Sequence, residues 1–510
     1  MLLLVIVLVI DRGEIDKEPI RSTITSMSTS GKPGAAGMWP RLLVVLALWA
    51  AMYLPALGTL EIKGEEGRRI LPAVTMLETG DYVLPHIGGQ PYLLKPPLVN
   101  WLVAASFRTF GVQNEWTARL PSTLCVLAVA LTFLLVARPA LGADGSFFAA
   151  LMWLTNFAMI EKGRLIEIEA LYVSLSALAF VYWLTWWQQR CSPWLTWVVP
   201  FIFLGFGLLA KGPLHLLFFY AIVFAVLLHE GELRKLWHPA HILGVLLMLA
   251  IFAAWAVPYL QGTQVGQTKN VWTRQFTGRV SGEDFDLGGW IWNIPRAVAY
   301  ALPWVVLLVF VRSAWSNRLV RSLCWGIAVP FLLVNLLPGA LPRYTMPLLA
   351  PVLWLVALTL TAPAIRPPHL PHQLLAVTRP RFVISFATAI AAAILLYAVA
   401  IIPFLKNREK VRNIAAQVQA AIPAGERLYA VDPEYQPFLF YIREAPIYVA
   451  RIDDLPAEAR FVLTEARKVT QATQSDRWRN AAPRELVRLT DYRRKTVVLF
   501  ELGEATLLSP

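Results

Sequence analysis

Long apolar runs separated by short polar segments dominate this chain. Because about 20 apolar residues cross a bilayer as a helix, eleven runs are predicted to span a membrane. The short apolar segment 98–110 carries Arg108, so we interpret it as interfacial or re-entrant. The pattern predicts a polytopic α-helical membrane protein with about 11–13 transmembrane helices. The eleven runs lie at about 41–59, 119–137, 145–160, 169–188, 194–210, 213–229, 239–260, 293–311, 322–338, 342–362 and 383–404.

The two ends of the chain differ from this apolar middle. Residues 1–38 hold an apolar run too short to span and then a polar stretch, so we treat them as disordered or as a misassigned start. Residues 39–404 are predicted to form the membrane domain. From residue 405, a helical pattern (KNREKVRNIAAQVQAAI) precedes five strand-like runs: RLYAVD, PFLFYI, APIYVA, RFVLTE and KTVVLFEL. Residues 405–510 are therefore predicted to be a small α/β domain with a supporting or recognition role.

Composition narrows the function classes. The chain has 510 residues, of which 57% are hydrophobic and 15% charged, which excludes an ordinary soluble globular protein. Its net charge of +13 indicates contact with anionic lipid or a phosphorylated ligand rather than nucleic acid. The three cysteines, Cys125, Cys191 and Cys324, are far apart and have no metal-ligand spacing, so we interpret them as packing residues.

The distribution of basic residues predicts an orientation. If the N-terminus is cytoplasmic, every inside loop is basic, and the C-terminal domain lies on the outer face. The outer face then receives the loops 61–118 and 261–292, which still carry Lys and Arg where the topology rule disfavours them. Anion binding at the outer face is the simplest physical reason.

The stretch from Glu61 to Pro97 concentrates this charge. Read as a helix from about Glu65, it puts Glu65, Arg68 and Arg69 on one side and its apolar residues on the other. After a Gly- and Pro-rich segment, Lys95 is expected to lie at the same level as these charged residues. Two acids beside two arginines and a lysine are residue types that hold a phosphate next to a general base.

Several motifs resemble a known family. They are GEEGRR, ETGDYVLPHIGGQPYLLKPPLVNWLVAASFRTFG and NEWTARLPS, followed by the Arg164 to Glu169 spacing, LLAKGP, Pro303-Trp304 and LPRYTMPLLAP. In this order they resemble the membrane glycosyltransferases of the protein mannosyltransferase-like superfamily, which have the GT-C fold. The similarity is closest to the bacterial 4-amino-4-deoxy-L-arabinose transferases of lipid A, and it covers about residues 41–362.

The resemblance implies an activity and a site. Such enzymes move a sugar from a polyprenyl-phosphate carrier to a lipid, glycan or protein acceptor at the outer face of the bacterial cytoplasmic membrane; a single displacement would invert the anomeric centre. By position, Glu65 and Glu169 match the catalytic acids. The carrier phosphate is expected to contact Arg68, Lys95, Lys211, Arg343 and Tyr344, and further candidates are Glu66, Arg164 and Glu167.

Two departures concern a metal. The aminoarabinose enzymes typically have Glu before the lysine of their KPP motif and His in the long outer loop, and these two side chains together can hold a metal. Here Leu94 precedes Lys95, and Gln275 stands where a His is expected. We therefore predict no tightly bound zinc and leave a loosely held divalent cation open.

Other functions remain open from the sequence. The same chemistry would serve a protein O-mannosyltransferase, and a relative that has lost catalysis would keep the fold. A polytopic transporter or lipid flippase should place charges along a path through the bilayer, whereas here the acids gather at one face. That distribution favours the enzyme, without indicating which sugar or acceptor it uses.

Overall fold

The structure is a computed structural model of the whole chain. It describes residues 37–263, 273, 277, 285–361, 380–407, 410–444, 446–469, 478, 479, 481–491 and 494–503. The segment 1–36, excluded above, and most of the predicted outer loop 261–292 lie outside this part.

Helices form most of the described chain. In order they are α1 Met38–Tyr53, α2 Gly67–Thr79, α3 Leu98–Phe110, α4 Glu115–Leu135, α5 Arg138–Leu154, α6 Phe157–Lys162, α7 Ile168–Gln188, α8 Pro193–Ala210, α9 Leu214–His229, α10 Pro239–Gly262, α11 Leu287–Ile291, α12 Asn293–Ala299, α13 Arg318–Asn335, α14 Leu349–Thr361, α15 Pro380–Leu396, α16 Ile402–Lys406 and α17 Val411–Ala420. Short 3₁₀ helices include Gly64–Glu66, Trp304–Ala314, Pro342–Leu348 and Pro437–Tyr441.

The predicted class, a polytopic helical membrane protein, is confirmed. Within the described residues, seven helices are long and apolar enough to cross a membrane, or eight if one bent pair is a single span. This is fewer than the eleven predicted. The apolar helices α1 and α9 have 16 residues each, which leaves them below the length of a full span.

The predicted span 293–311 is broken. Helix α12 and the 3₁₀ helix from Trp304 meet at 98°, and Pro303, which has no backbone N–H to donate, lies between them. The Trp304 indole donates to the Thr155 hydroxyl at 3.0 Å, and the Phe157 amide donates to the Leu302 carbonyl at 2.8 Å. The Pro303-Trp304 motif therefore fixes this break against the start of α6.

The loop 61–118, called the outer loop from here on, begins with a buried helix. In α2, Arg69 is only 7% exposed and Ile70 is fully buried, while Glu65 stands in the preceding 3₁₀ turn and is exposed. The prediction that Arg69 shares the charged outer side with Glu65 and Arg68 is wrong. The apolar side of α2 packs against α3 and the C-terminal region.

A mixed five-stranded sheet forms the C-terminal region. Its strands are β3 Leu428–Val431, β4 Ile447–Val449, β5 Phe461–Glu465, β6 Arg484–Thr490 and β7 Thr496–Glu501, in the order β4-β3-β5-β7-β6, and a small hairpin, β1 His86–Ile87 with β2 Gln90–Pro91, lies in the outer loop. Strand β3 pairs in parallel with β4 and β5, and β7 pairs antiparallel with β5 and β6.

Four of the five strand-like runs form strands, and one does not. The run PFLFYI folds as the 3₁₀ helix Pro437–Tyr441, and β6 was not predicted. A short apolar run does not by itself distinguish a strand from a buried turn. Here Phe440 stacks on Phe107 of α3 at 6.3 Å, so the run is apolar because it docks on the helical bundle.

The C-terminal region is joined to the outer loop by buried polar contacts. The Glu61 carboxylate accepts from the amides of Val411 and Arg412, both at 2.8 Å, so it caps α17 from 350 residues away. Glu115 pairs with Arg412 and accepts from the Tyr441 hydroxyl at 2.7 Å. The two bonds to Glu61 satisfy amides at the start of α17 that have no partner within the helix.

One buried ion pair holds the start of the outer loop. Arg119 and Glu66, each with a 3% exposed side chain, form a two-bond pair with both distances 2.8 Å. The remaining guanidinium hydrogens go to the carbonyls of Leu57 and Leu60 at 2.8 Å and of Glu61 at 3.0 Å. All five donors of the arginine are therefore used.

We expect Arg119→Gln to destabilise the protein strongly. It would leave the Glu66 carboxylate buried without its cation, a loss of about 3–5 kcal/mol in the free energy of unfolding. The measurement is the thermal unfolding midpoint of the protein purified in detergent. Arg108→Gln, at an exposed position of α3, is the control, and an equal shift in both variants would contradict the assignment.

Candidate functional site

Glu169 lies at the centre of a charged group at one end of the bundle. It stands in the first turn of α7, where helix N-termini favour anions. The Lys211 ammonium donates to its carboxylate at 3.1 Å, and the Arg343 Nε lies 3.2 Å from the same oxygen. The Lys211 ammonium is also 5.3 Å from the ring centres of Tyr172 and Tyr344. We call these five residues the Glu169 cluster.

The turn after α8 sets the position of Lys211. Gly212 has φ +117°, a conformation that side chains rarely allow. His215 contacts the Gly212 carbonyl and the Leu204 carbonyl, both at 3.0 Å, which ties the turn back onto α8. A Cβ on Gly207 would lie 2.6 Å from the His215 ring, so that glycine is needed for the fit. The KGP sequence thus fixes a lysine beside Glu169.

Burial and neighbouring charges act on Lys211. Burial lowers the pKa of its ammonium; Glu169 opposes that effect, and the charges of Arg343 and Arg69 lower the pKa further. Arg69 is buried, and its guanidinium donates to the Tyr92 hydroxyl at 3.1 Å. The cluster therefore contains more positive than negative charge, which suits it to receive an anion.

Lys162 and two acids form a second charged group nearby. The Lys162 ammonium lies 2.8 Å from Glu161 and 3.0 Å from Glu167, and its side chain is 10% exposed. Burial raises the pKa of the Glu167 carboxyl, which Lys162 opposes. Burial alone would lower the pKa of Lys162, but the two acids raise it above its ordinary value. Glu167 is thus paired with Lys162, whereas Glu169, two residues later, belongs to the Glu169 cluster.

Glu65 and Arg68 form a separate, more exposed pair. The Arg68 guanidinium lies 3.0 Å from the Glu65 carboxylate, with side-chain exposures of 29% and 47%. The same guanidinium lies 4.0 Å from the ring centre of Tyr435 in the C-terminal region. The structure records no bond from this pair to the Glu169 cluster within the residues it describes.

Glu66 and Arg164 have structural partners. Glu66 is occupied by Arg119 and also accepts from the Ile166 amide at 3.1 Å. Arg164 donates to the Met52 carbonyl and, at 2.5 Å, to the Pro55 carbonyl just beyond α1. Glu66 thus holds the outer loop to α4, and Arg164 holds the segment between α6 and α7 to the end of α1. Lys95 is half-buried and directly precedes the two prolines that start α3.

Metal binding has no support from the described residues. Among them, no group of three or more His, Cys, Asp or Glu side chains is arranged to hold a metal. Gln275, with Arg274 and Arg279, lies outside the described part of the chain. The expectation of no tightly bound zinc stays a prediction.

Sequence reasoning missed some residues at the site. Arg119 lies inside the NEWTARLPS motif, and its place in a motif was the available signal for its importance. Arg69 was noticed as a charge but assigned to the wrong face. Tyr172 and Tyr435 had no signal, since nothing local shows which distant cation an aromatic ring will meet.

Comparison with known proteins supports the resemblance. The model of the dolichyl-phosphate-mannose-protein mannosyltransferase family matches residues 94–257. Crystal structures of ArnT from Cupriavidus metallidurans, bound to undecaprenyl phosphate and in the apo state, superpose with TM-scores of 0.67 and 0.65. Their sequence identities are 16% and 17%, and each alignment covers 94% of this chain and 100% of that chain. The chain therefore has the predicted GT-C fold, which it shares with these ArnT structures.

Named bacterial relatives of this GT-C protein align over part of their length. An undecaprenyl phosphate-alpha-4-amino-4-deoxy-L-arabinose arabinosyl transferase of Pseudomonas fluorescens is 28% identical over 338 residues, which is 63% of this chain and 59% of the relative. One from Proteus mirabilis is 26% identical over 293 residues, or 55% of this chain and 52% of the relative. The chain thus spans little more than half of the length of the relatives it matches.

We expect Gly212→Ala to destabilise the turn that carries Lys211. An alanine at φ +117° is strained by about 1–3 kcal/mol. Gly111→Ala is the control, since its φ of +67° is left-handed but better tolerated. The measurement is the unfolding midpoint of both purified variants, and a smaller loss for Gly212→Ala than for Gly111→Ala would refute this view of the turn.

Proposed function

We propose that this protein is a glycosyltransferase that moves a sugar from a polyprenyl-phosphate carrier to an acceptor, with inversion of the anomeric centre. The observation that carries the proposal is the Glu169 cluster, a carboxylate held between Lys211 and Arg343 at one end of an apolar helical bundle. The GT-C fold and the names of the relatives support the same activity. We also propose that residues 39–404 form the membrane domain and that residues 405–510 form a separate C-terminal domain.

The departing phosphate needs cations. When the bond between sugar and carrier breaks, negative charge grows on the phosphate that stays with the lipid, and positioned cations stabilise it most where water is scarce. Lys211 and Arg343 meet at one carboxylate, and the Tyr344 ring lies beside the ammonium. Lys95 and Arg68 are the further proposed phosphate contacts; Arg68 lies on α2 and Lys95 just before α3.

A carboxylate must also accept the acceptor's proton or orient the acceptor. Glu65 is the first candidate, because it is accessible and, within the described part of the chain, pairs with one cation, Arg68. Glu169 is the second; it is already paired with Lys211 and Arg343, which suits it to holding these two cations in place. Glu167 is a further candidate, because burial raises the pKa of its carboxyl and so makes its ionised form a stronger base.

The proposed location of the protein follows from the orientation that its basic loops predict. We propose that the protein lies in the bacterial cytoplasmic membrane with a cytoplasmic N-terminus, and that its site and C-terminal region face the periplasm. The carrier, already in the membrane, would then reach the cations without leaving the bilayer.

The acceptor is a lipid, a glycan or a protein. The family model that matches residues 94–257 carries the name of a protein mannosyltransferase, and this supports a protein acceptor as the second candidate. The named arabinosyl transferases support an aminoarabinose donor, although Leu94 departs from their usual sequence.

We expect membranes carrying the wild-type protein to consume one radiolabelled donor from a panel of polyprenyl-phosphate sugars that includes aminoarabinose and mannose. Glu65→Gln and Lys211→Ala should each lower the transfer rate by about 100-fold or more, since each removes a group used in the transition state. Arg488→Gln, which breaks an exposed pair with Glu485 on β6, is the matched control at equal expression.

The outcomes separate the hypotheses. Transfer by both active-site variants at the wild-type rate would refute the residue assignment. If wild type consumes no donor but moves labelled lipid across the bilayer, the protein is a flippase and the proposal fails.

We also expect a pH signature from Lys211. Because burial lowers the pKa of its ammonium, the charged form is lost at a lower pH than for an ordinary lysine, and transfer should fall as pH rises through that value. Lys211→Arg keeps the charge at all accessible pH values, so any residual activity should persist to higher pH. The measurement is the pH profile of transfer, and identical basic limbs would contradict a role for the charged lysine.

A further inference from the structure

Tyr435 contacts the proposed active-site pair from the C-terminal region. Its ring centre is 4.0 Å from the Arg68 guanidinium carbon, within the range of a cation–π contact. Its backbone carbonyl lies 2.8 Å from where a Cβ on Gly67 would stand, so Gly67 admits the tyrosine to this position. The contact therefore depends on two residues: Gly67 on α2 leaves the space for it, and Tyr435 beyond β3 supplies the aromatic ring.

The segment that carries Tyr435 is held from behind. Asp432 and Glu434 both have left-handed backbone conformations, with φ values of 38° and 53°, which non-glycine residues adopt only when their surroundings impose them. Lys468 donates to the Asp432 carbonyl at 2.8 Å. Glu434 is paired with both Lys495 and Arg467. These bonds leave the Tyr435 backbone little freedom to move away from α2.

The same segment also covers the hairpin that leads to Lys95. A Cβ on Gly88 would meet the Pro433 ring of this segment at 2.9 Å, and one on Gly89 would meet Tyr448 of the adjacent strand β4 at 3.1 Å. Both glycines have positive φ values, +58° and +78°. The residues around Tyr435 thus touch the outer loop at two points, one at Arg68 and one just before the KPP sequence.

We propose that Tyr435 is a positioning residue that holds Arg68, and through it Glu65, in the orientation used for sugar transfer. This inference rests on the proposed function. The pair is partly exposed, so its ion pair alone would restrain it weakly in water. The ring adds a second, directional restraint on the planar guanidinium, and the C-terminal region thereby completes the site.

The test is a double-mutant cycle in which Tyr435→Leu and Arg68→Gln are made alone and together, with Tyr435→Phe as the conservative variant. Transfer is measured in membranes at equal expression as separate kcat and KM values. Thermal unfolding of the purified proteins is measured in parallel and does not depend on activity. Interacting residues give non-additive effects in such a cycle.

We expect Tyr435→Leu to lower kcat/KM by about tenfold, in the range of a cation–π contact. Tyr435→Phe should keep kcat/KM within about twofold of the wild-type value, because the aromatic ring remains. In the Arg68→Gln background, Tyr435→Leu should change kcat/KM by less than about twofold, because the residue through which it acts is already gone.

Tyr441→Leu is the matched control. Its ring also lies against an arginine of the same interface, 4.9 Å from Arg412, but it does not touch Arg68. In the double variant, the fold-losses in kcat/KM caused by Tyr441→Leu and by Arg68→Gln should multiply, as they do for independent residues. Equal coupling of both tyrosines to Arg68 would show that docking in general matters, and would overturn the proposal.

The remaining outcomes are equally decisive. Coupling of Tyr435 and Arg68 in unfolding but not in transfer makes the contact purely structural and overturns the positioning role. A wild-type protein that transfers no sugar, while the unfolding cycle still shows coupling, refutes the proposed function and, with it, the positioning role. Coupling in both measurements supports the inference.

Discussion

The buried pair of Glu66 and Arg119 is the interaction on which the arrangement of the outer loop depends. A guanidinium with all five donors used joins the end of the first helical segment, the turn before α2 and the start of α4. Through the Ile166 amide, the same carboxylate also fixes the approach to α7, which carries Glu169. Two buried charges are costly to desolvate unless both are fully bonded, so the geometry here admits little variation.

That constraint explains which parts of the site the sequence could predict. Alternation of apolar and polar runs predicted the helical class, and motif order predicted the fold, because both depend on local pattern. Glu65 and Glu66 are adjacent, and no local pattern shows that one is exposed while its neighbour is buried against an arginine 53 residues later. Arg164, a further candidate from the resemblance, likewise donates to backbone carbonyls near α1.

The prediction of secondary structure failed where tertiary packing, rather than local sequence, determines the backbone conformation. The run PFLFYI has the composition of a strand, yet it forms a 3₁₀ helix because Phe440 docks on α3. The sheet itself follows its pattern: Leu428 and Ala430 pack towards the helical bundle, while Tyr429 and Val431 face a second small core. Period-two alternation predicts two faces but not what covers each of them.

The cap that Glu61 supplies to α17 has a consequence for biosynthesis. The carboxylate and the amides it binds are separated by 350 positions, so at about 5–20 residues per second roughly 20–70 s pass between their emergence from the ribosome. During that interval nearly the whole bundle is made, while Glu61 and Glu115 wait without their final partners. The first loop of the chain is thus completed by its last region, and a nascent protein stopped before residue 411 would expose an unfinished loop to quality-control proteases.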